Sequence, residues 1–177
     1  VAACGGSTPA ASTGGGGGGG GASPAASSGG GGGTTGGALN GKRVCEIVTI
    51  EQATEILGEA PPRGEASDDR LSKTHTCAFK PGPKLIMQVQ VRDDVATPED
   101  FDKVLDSTID PSLARTPVEG IGDKAYFIER TEPPAGTRLY ILAKGKMILV
   151  NIGREDVPMA SLEETAKGMA PGIIDAL

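Results

Sequence analysis

The side chains with the widest chemical range in this chain are few. They are three cysteines, Cys4, Cys45 and Cys77, and a single histidine, His75. A cysteine can act as nucleophile, metal ligand, disulfide partner or acyl acceptor, and a histidine as base or ligand, so spacing has to decide between them. His75-x-Cys77 with the remote Cys45 supplies one ligand too few for a structural zinc site and lacks the paired spacing, so no metal is expected. His75 stands between Thr74 and Thr76 at what reads as the start of a strand. No G-x-S-x-G, P-loop or H-E-x-x-H accompanies it, so no catalytic residue and no cofactor are expected. Asp68-Asp69 and Asp93-Asp94 lack the D-x-D-x-D-G spacing of a calcium loop and are expected in solvated loops. Gly120 and Gly122 flank Ile121 just before a strand, whereas a phosphate cradle leads into a helix. A tight turn is expected there, with Ile121 tucked beneath it and Asp123 closing it.

Cys4 stands apart from the other two by its surroundings. Val1 to Gly41 contains no charged and no aromatic residue, and 17 of the 28 glycines precede Ala38. Such a segment has little apolar surface to offset its ordering entropy. Residues 5–40 therefore read as a flexible Gly/Ser-rich tether, with an r.m.s. span of about 30–35 Å. Val1-Ala2-Ala3-Cys4 resembles the lipobox of bacterial lipoproteins. The resemblance implies cleavage before Cys4 and a diacylglyceryl group on its sulfur. Val1 to Ala3 would then be the end of a signal peptide whose charged and apolar parts lie upstream. Each acyl chain adds about 0.8 kcal/mol per buried methylene, and two or more give stable anchoring. The expected location is the bacterial cell envelope, membrane-anchored and exposed outside the cytoplasm. Export places Cys45 and Cys77 in oxidising surroundings, where they are expected to pair. Closing that loop of about 32 residues should stabilise the domain by roughly 3–4 kcal/mol.

All 17 Lys/Arg and 23 Asp/Glu lie from Lys42 onward, and the net charge is -6. Residues 42–177 are expected to form one globular domain, long enough for a single core and too short for two substantial ones. An acidic chain with 3% aromatic residues is poorly suited to nucleic acid, which calls for basic patches and stacking rings. The mixed charges read as a solvated surface, and a monomer is expected. No run of apolar residues reaches the ~18 needed to span a bilayer.

Periodicity and capping signals then place the elements. Thr49 with Gln52 forms a capping box for a helix that ends at Gly58. PRGEASDDRLSK reads as a polar loop. Two strands follow, joined at Pro81-Gly82-Pro83; in the second, Leu85, Met87, Val89 and Val91 alternate with polar or less buried positions. Thr97 and Pro98 open a second helix with Phe101, Val104 and Leu105 on one side. A strand runs from Lys124 to Glu129, with Tyr126 and Phe127 on opposite faces. Lys144-Gly145 turns a hairpin whose strands are apolar on nearly every residue, the pattern of the centre of a sheet. A last helix is expected from a Ser161/Glu164 capping box, broken or kinked near Gly168 to Pro171. The order α-β-β-α-β-β-β-α predicts an α+β fold: a mainly antiparallel sheet flanked by about three helices.

Cys45, Thr49, Ala53 and Ile56-Leu57-Gly58, then Cys77-Ala78-Phe79, then Val118 to Phe127 (VEGIGDKAYF) resemble a class of small bacterial envelope lipoproteins. Some of these are similar to the PsbP-type α/β/α sandwich. The resemblance spans most of Cys45 to Leu177; it implies an address and a fold, and brings no catalytic residue. The reading that follows is a lipid-anchored, non-catalytic binding domain, its partner an envelope protein or a small apolar ligand. The alternative is a secreted envelope hydrolase whose site the sequence does not reveal.

Overall fold

The computed structural model describes residues 39–177; Cys4 and the glycine-rich segment lie outside the described residues. Four helices and seven strands follow one another as α1 (Gly41–Ile47), α2 (Ile50–Leu57), β1 (Glu65–Asp69), β2 (Thr74–Gly82), β3 (Leu85–Arg92), α3 (Pro98–Thr108), β4 (Arg115–Pro117), β5 (Lys124–Arg130), β6 (Gly136–Ala143), β7 (Lys146–Arg154) and α4 (Met159–Ala176). The strands form one sheet in the order β1-β2-β3-β7-β6-β5-β4, antiparallel throughout. The α+β class with a mainly antiparallel sheet is as expected.

The β6–β7 hairpin takes the central place its composition predicts. Lys144 and Gly145 both have positive φ (51° and 67°), the geometry that matches a two-residue turn to the twist of its strands. Each face of the sheet carries its own core. On one face Val44, Leu57, Ala166 and Ile173, from α1, α2 and α4, pack on Cys77, Phe79, Met87, Val89, Ile148, Val150 and Ile152. On the other, Phe101 and Leu105 of α3 pack on Ile128, Tyr140, Leu142, Met147 and Leu149. Phe127 belongs to the first core and Tyr126 borders the second, so β5 alternates as its sequence predicts.

Three helix ends follow their sequence signals. Thr49 and Gln52 make both hydrogen bonds of the capping box, and Gly58 closes α2 at φ 73°. Thr97 caps α3 ahead of Pro98. In the loop before β5, Gly122 has φ 60°, and a Cβ there would lie 2.4 Å from the Leu142 carbonyl oxygen, so only glycine fits the turn. The next amide, of Asp123, donates to that same carbonyl at 2.7 Å.

Elsewhere the structure departs from expectation. A helix precedes the first one predicted. Asn40 caps α1 through a hydrogen bond from the Arg43 amide, and only Gly41 and Val44 of its seven residues are buried. So short an element shows no periodicity and is held by what it touches. The expected polar loop contains β1, Glu-Ala-Ser-Asp-Asp, every residue exposed. It is an edge strand fixed by its backbone ladder with β2, so it carries no apolar alternation to read. The three-residue β4 on the opposite edge is similar. The last helix begins at Met159 behind Pro158, with no side-chain cap. Ser161 therefore lies inside α4, where its carbonyl accepts the Thr165 hydroxyl. Nor does α4 break at Pro171. That proline sits on the exposed side, where water can serve the carbonyl that loses its amide partner, while Leu162, Ala166, Ala170 and Ile173 keep the buried stripe continuous. Among the described residues no helix is long and apolar enough to cross a membrane.

Candidate functional site

Cys45 of α1 and Cys77 of β2 are joined by a disulfide, their Cα atoms 5.0 Å apart. The sulfurs sit over Gly64: a Cβ at that position would lie 2.8 Å from Cys77 Sγ and 3.0 Å from Cys45 Sγ. With both thiols committed to each other, neither is free to join His75 at a metal.

His75 lies on the same sheet face, two residues before Cys77 on β2. Its Nδ1 is 2.6 Å from Asp68 Oδ1 on β1, and its Nε2 is 3.3 Å from Asp93 Oδ2, just past β3. Asp93 also pairs with Lys146 Nζ at 2.6 Å. The Gly41 amide, at the start of α1, donates to Asp68 Oδ1 at 2.7 Å. Of the aspartates expected in loops, Asp93 and Asp94 do lie in the turn that follows β3, whereas Asp68 and Asp69 form the end of the edge strand β1. Their oxygens serve neighbours: Asp69 accepts from the Leu71 amide and the Ser72 hydroxyl, and Asp94 pairs with Arg92. A cleft of 320 Å³ opens beside His75, lined also by Leu39, Asp68, Arg70, Lys73 and Asp93.

The His75 hydrogen bond, and after it the Gly41 amide, hold the Asp68 carboxyl below its ordinary value of 3.8. A carboxylate depressed by folding stabilises the fold above its unfolded pKa, and that contribution is lost as pH falls through the lower native value. In denaturant titrations, Asp68→Asn should therefore flatten the loss of stability below about pH 4 relative to the native chain. Parallel acid limbs for the two proteins would show that Asp68 contributes nothing through its charge.

Of the clefts, one opens onto the sheet beside α3. Helix α3 is fixed on its β4–β5 flank: Asp102 binds Lys124 at 2.7 Å, Asp106 binds Arg115 at 2.8 Å, and Phe101 stacks on Tyr126 with centroids 6.2 Å apart. The Asp102 hydrogen bond also raises the Lys124 ammonium above its ordinary value. The helix's other flank, Val104 and Thr108, overhangs a cleft of 270 Å³ that is otherwise lined by Ser72, Thr74, Gln90, Arg92, Tyr140, Met147 and Leu149. Register explains the lining. Gln90, Leu149 and Tyr140 pair in one row across β3, β7 and β6, and Arg92 and Met147 form the next row, so all of them share this face. A larger depression of 520 Å³ lies on the first face at the other end of the sheet. Its central group, Arg154, is already bound to Asp156 and to the Ile56 carbonyl.

No protein-family model, curated protein or solved structure matches this chain. The site therefore rests on its own geometry.

The α3 cleft was not among the residues singled out from sequence. One signal was available. β3 carries Gln88, Gln90 and Arg92 on the face where neighbouring β7 carries Met147 and Leu149. A polar strand beside an apolar one marks the line at which the covering helix stops. What periodicity cannot supply is the position of α3 over that line.

Proposed function

We propose that this chain is a lipid-anchored protein of a bacterial cell envelope, held through Cys4, whose folded domain acts by binding and not by catalysis. The observation that carries the reading is the division of the three cysteines. Cys45 and Cys77 are joined within the domain, in keeping with an oxidising compartment, and Cys4 remains alone behind two alanines in a charge-free segment. Residues 5–40 then serve as a tether, and the cleft beside α3 supplies a concave, apolar-floored surface for a ligand.

One observation favours an enzyme: a histidine oriented by a carboxylate is the usual form of a general base. Here both ring nitrogens of His75 face carboxylates. An imidazole so placed bridges β1 to the end of β3 and offers neither nitrogen to a substrate, which supports a structural role.

Detergent-phase partitioning of the protein from its native membranes tests the anchor. The native chain should enter the detergent phase and Cys4→Ser the aqueous phase. Equal partitioning of the two would remove the anchor from the account.

A further inference from the structure

We propose that the cleft beside α3 binds a compact, uncharged, apolar molecule carrying one hydrogen-bonding group, with Tyr140 and Gln90 as the residues that read that group. The inference rests on the binding-domain reading above and assigns it a site and a ligand class.

The polar groups around the cleft divide sharply. The Arg92 guanidinium makes two hydrogen bonds to the Asp94 carboxylate, at 2.5 and 3.0 Å, so its charge is already neutralised. The Thr108 hydroxyl donates to the Val104 carbonyl within α3. The Ser72 and Thr74 hydroxyls are bound to each other, to Asp69 and to the Ser72 carbonyl. Among the described residues, the side-chain amide of Gln90 and the hydroxyl of Tyr140 make no hydrogen bond. These two flank Leu149 in a single register row, separated by two strand spacings, or about 10 Å. Leu149 and Met147 form the floor between them, each 8% exposed, and Val104 forms one wall.

Each feature limits the ligand. An anion would find no free cation, since Arg92 is committed to Asp94 and Arg138, the cation nearest Tyr140, to Glu132 at 2.6 Å. A cation would find the carboxylates already engaged, Asp94 by Arg92 and Asp69 by the Leu71 amide and the Ser72 hydroxyl. Burial raises the Tyr140 phenol above its ordinary value of 10.0, so it stays neutral and can donate or accept. A ligand without a polar atom would leave the Tyr140 hydroxyl unpaired as the cleft loses its water, at a cost in affinity. At 270 Å³ the cleft is near the lower end of ligand cavities, ~300 Å³, so the ligand is small.

The probe for a test is 1-naphthol, an uncharged ring system with one hydroxyl. Naphthalene and naphthalene-1-sulfonate are its controls. Binding to the full chain would be followed by the methyl resonances of Met147, Leu149 and Val104. 1-Naphthol should shift these three saturably. The sulfonate should bind at least tenfold more weakly. Tyr140→Phe should weaken 1-naphthol by about five- to tenfold and strengthen naphthalene, which no longer leaves a hydroxyl unpaired. Val104→Trp, which fills the cleft, should abolish both. Shifts scattered over the surface, equal binding of the sulfonate, or a Tyr140→Phe variant that binds 1-naphthol like the native chain would each overturn the assignment. Capture of one defined envelope partner by the native chain and by Val104→Trp alike would also overturn it, while leaving the broader binding reading in place.

Discussion

Replacing Cys45 and Cys77 by alanine should lower the unfolding free energy of the domain by about 3–4 kcal/mol. The bond closes a loop with a sequence separation of 32, which sets the entropic gain from constraining the unfolded chain. The folded state adds a local reason. Helix α1 has seven residues, too few to persist alone, and the disulfide cross-links it directly to β2. Once it is cut, burial of Val44 and Val48 and the hydrogen bond from Gly41 to Asp68 of β1 must hold α1 in place. A domain of this size is stable by only some 5–15 kcal/mol, so the loss is a large share. Urea titration of the native chain with and without reductant measures the same quantity. A difference below 1 kcal/mol would mean that packing alone holds α1.

The second large effect is expected at Phe101. Its truncation to alanine should cost about 3–5 kcal/mol. Phe101 is wholly buried, stacks on Tyr126 and stands with Leu105 as the main apolar contact between α3 and the sheet. The first core draws on three helices, whereas the second has one, so little can move in to fill the void. The partly exposed ion pairs to Lys124 and Arg115 should not compensate, because pairs open to solvent contribute about 1 kcal/mol or less each. The check is a shift of the denaturation midpoint at an unchanged slope. A loss under 1 kcal/mol would show that the second core collapses around the missing ring and does not depend on it.

How much of this was legible in the sequence follows from where the information lies. The strands β3, β6 and β7 announce themselves, since burial on one face or on both imposes a pattern on side chains. So do α2 and α3, whose caps are local chemistry: Thr49 with Gln52, and Thr97 with Pro98. β1 and β4 are edge strands held by backbone pairing, and backbone pairing leaves no mark in residue type. The start of α4 shows the opposite failure. Ser161 and Glu164 have the spacing of a capping box, but the helix already runs from Met159, so the residues are those of a cap and the position is not. Pro171 misleads in a similar way, because a missing amide matters less on the solvent side of a helix packed along its other side.

The candidate site divides likewise. Cys45 and Cys77 could be paired from an expected export and from their count within the domain. The contacts of His75 could not, because Asp68 on β1 and Asp93 just past β3 reach it from both neighbouring strands, whose register only the folded sheet defines. The α3 cleft is further still from the sequence. It exists because a helix pinned at Phe101, Asp102 and Asp106 stops short of β3, and no local signal encodes where a helix stops covering a sheet.

The central claim is that Cys4 ties this binding domain to a membrane. Its most direct test is the intact mass of the protein extracted from its native envelope. The account predicts a chain that begins at Cys4 and carries the added mass of a diacylglyceryl group, with or without a further acyl chain on its amino group. A native chain that continues upstream of Val1, with an unmodified Cys4, would contradict it.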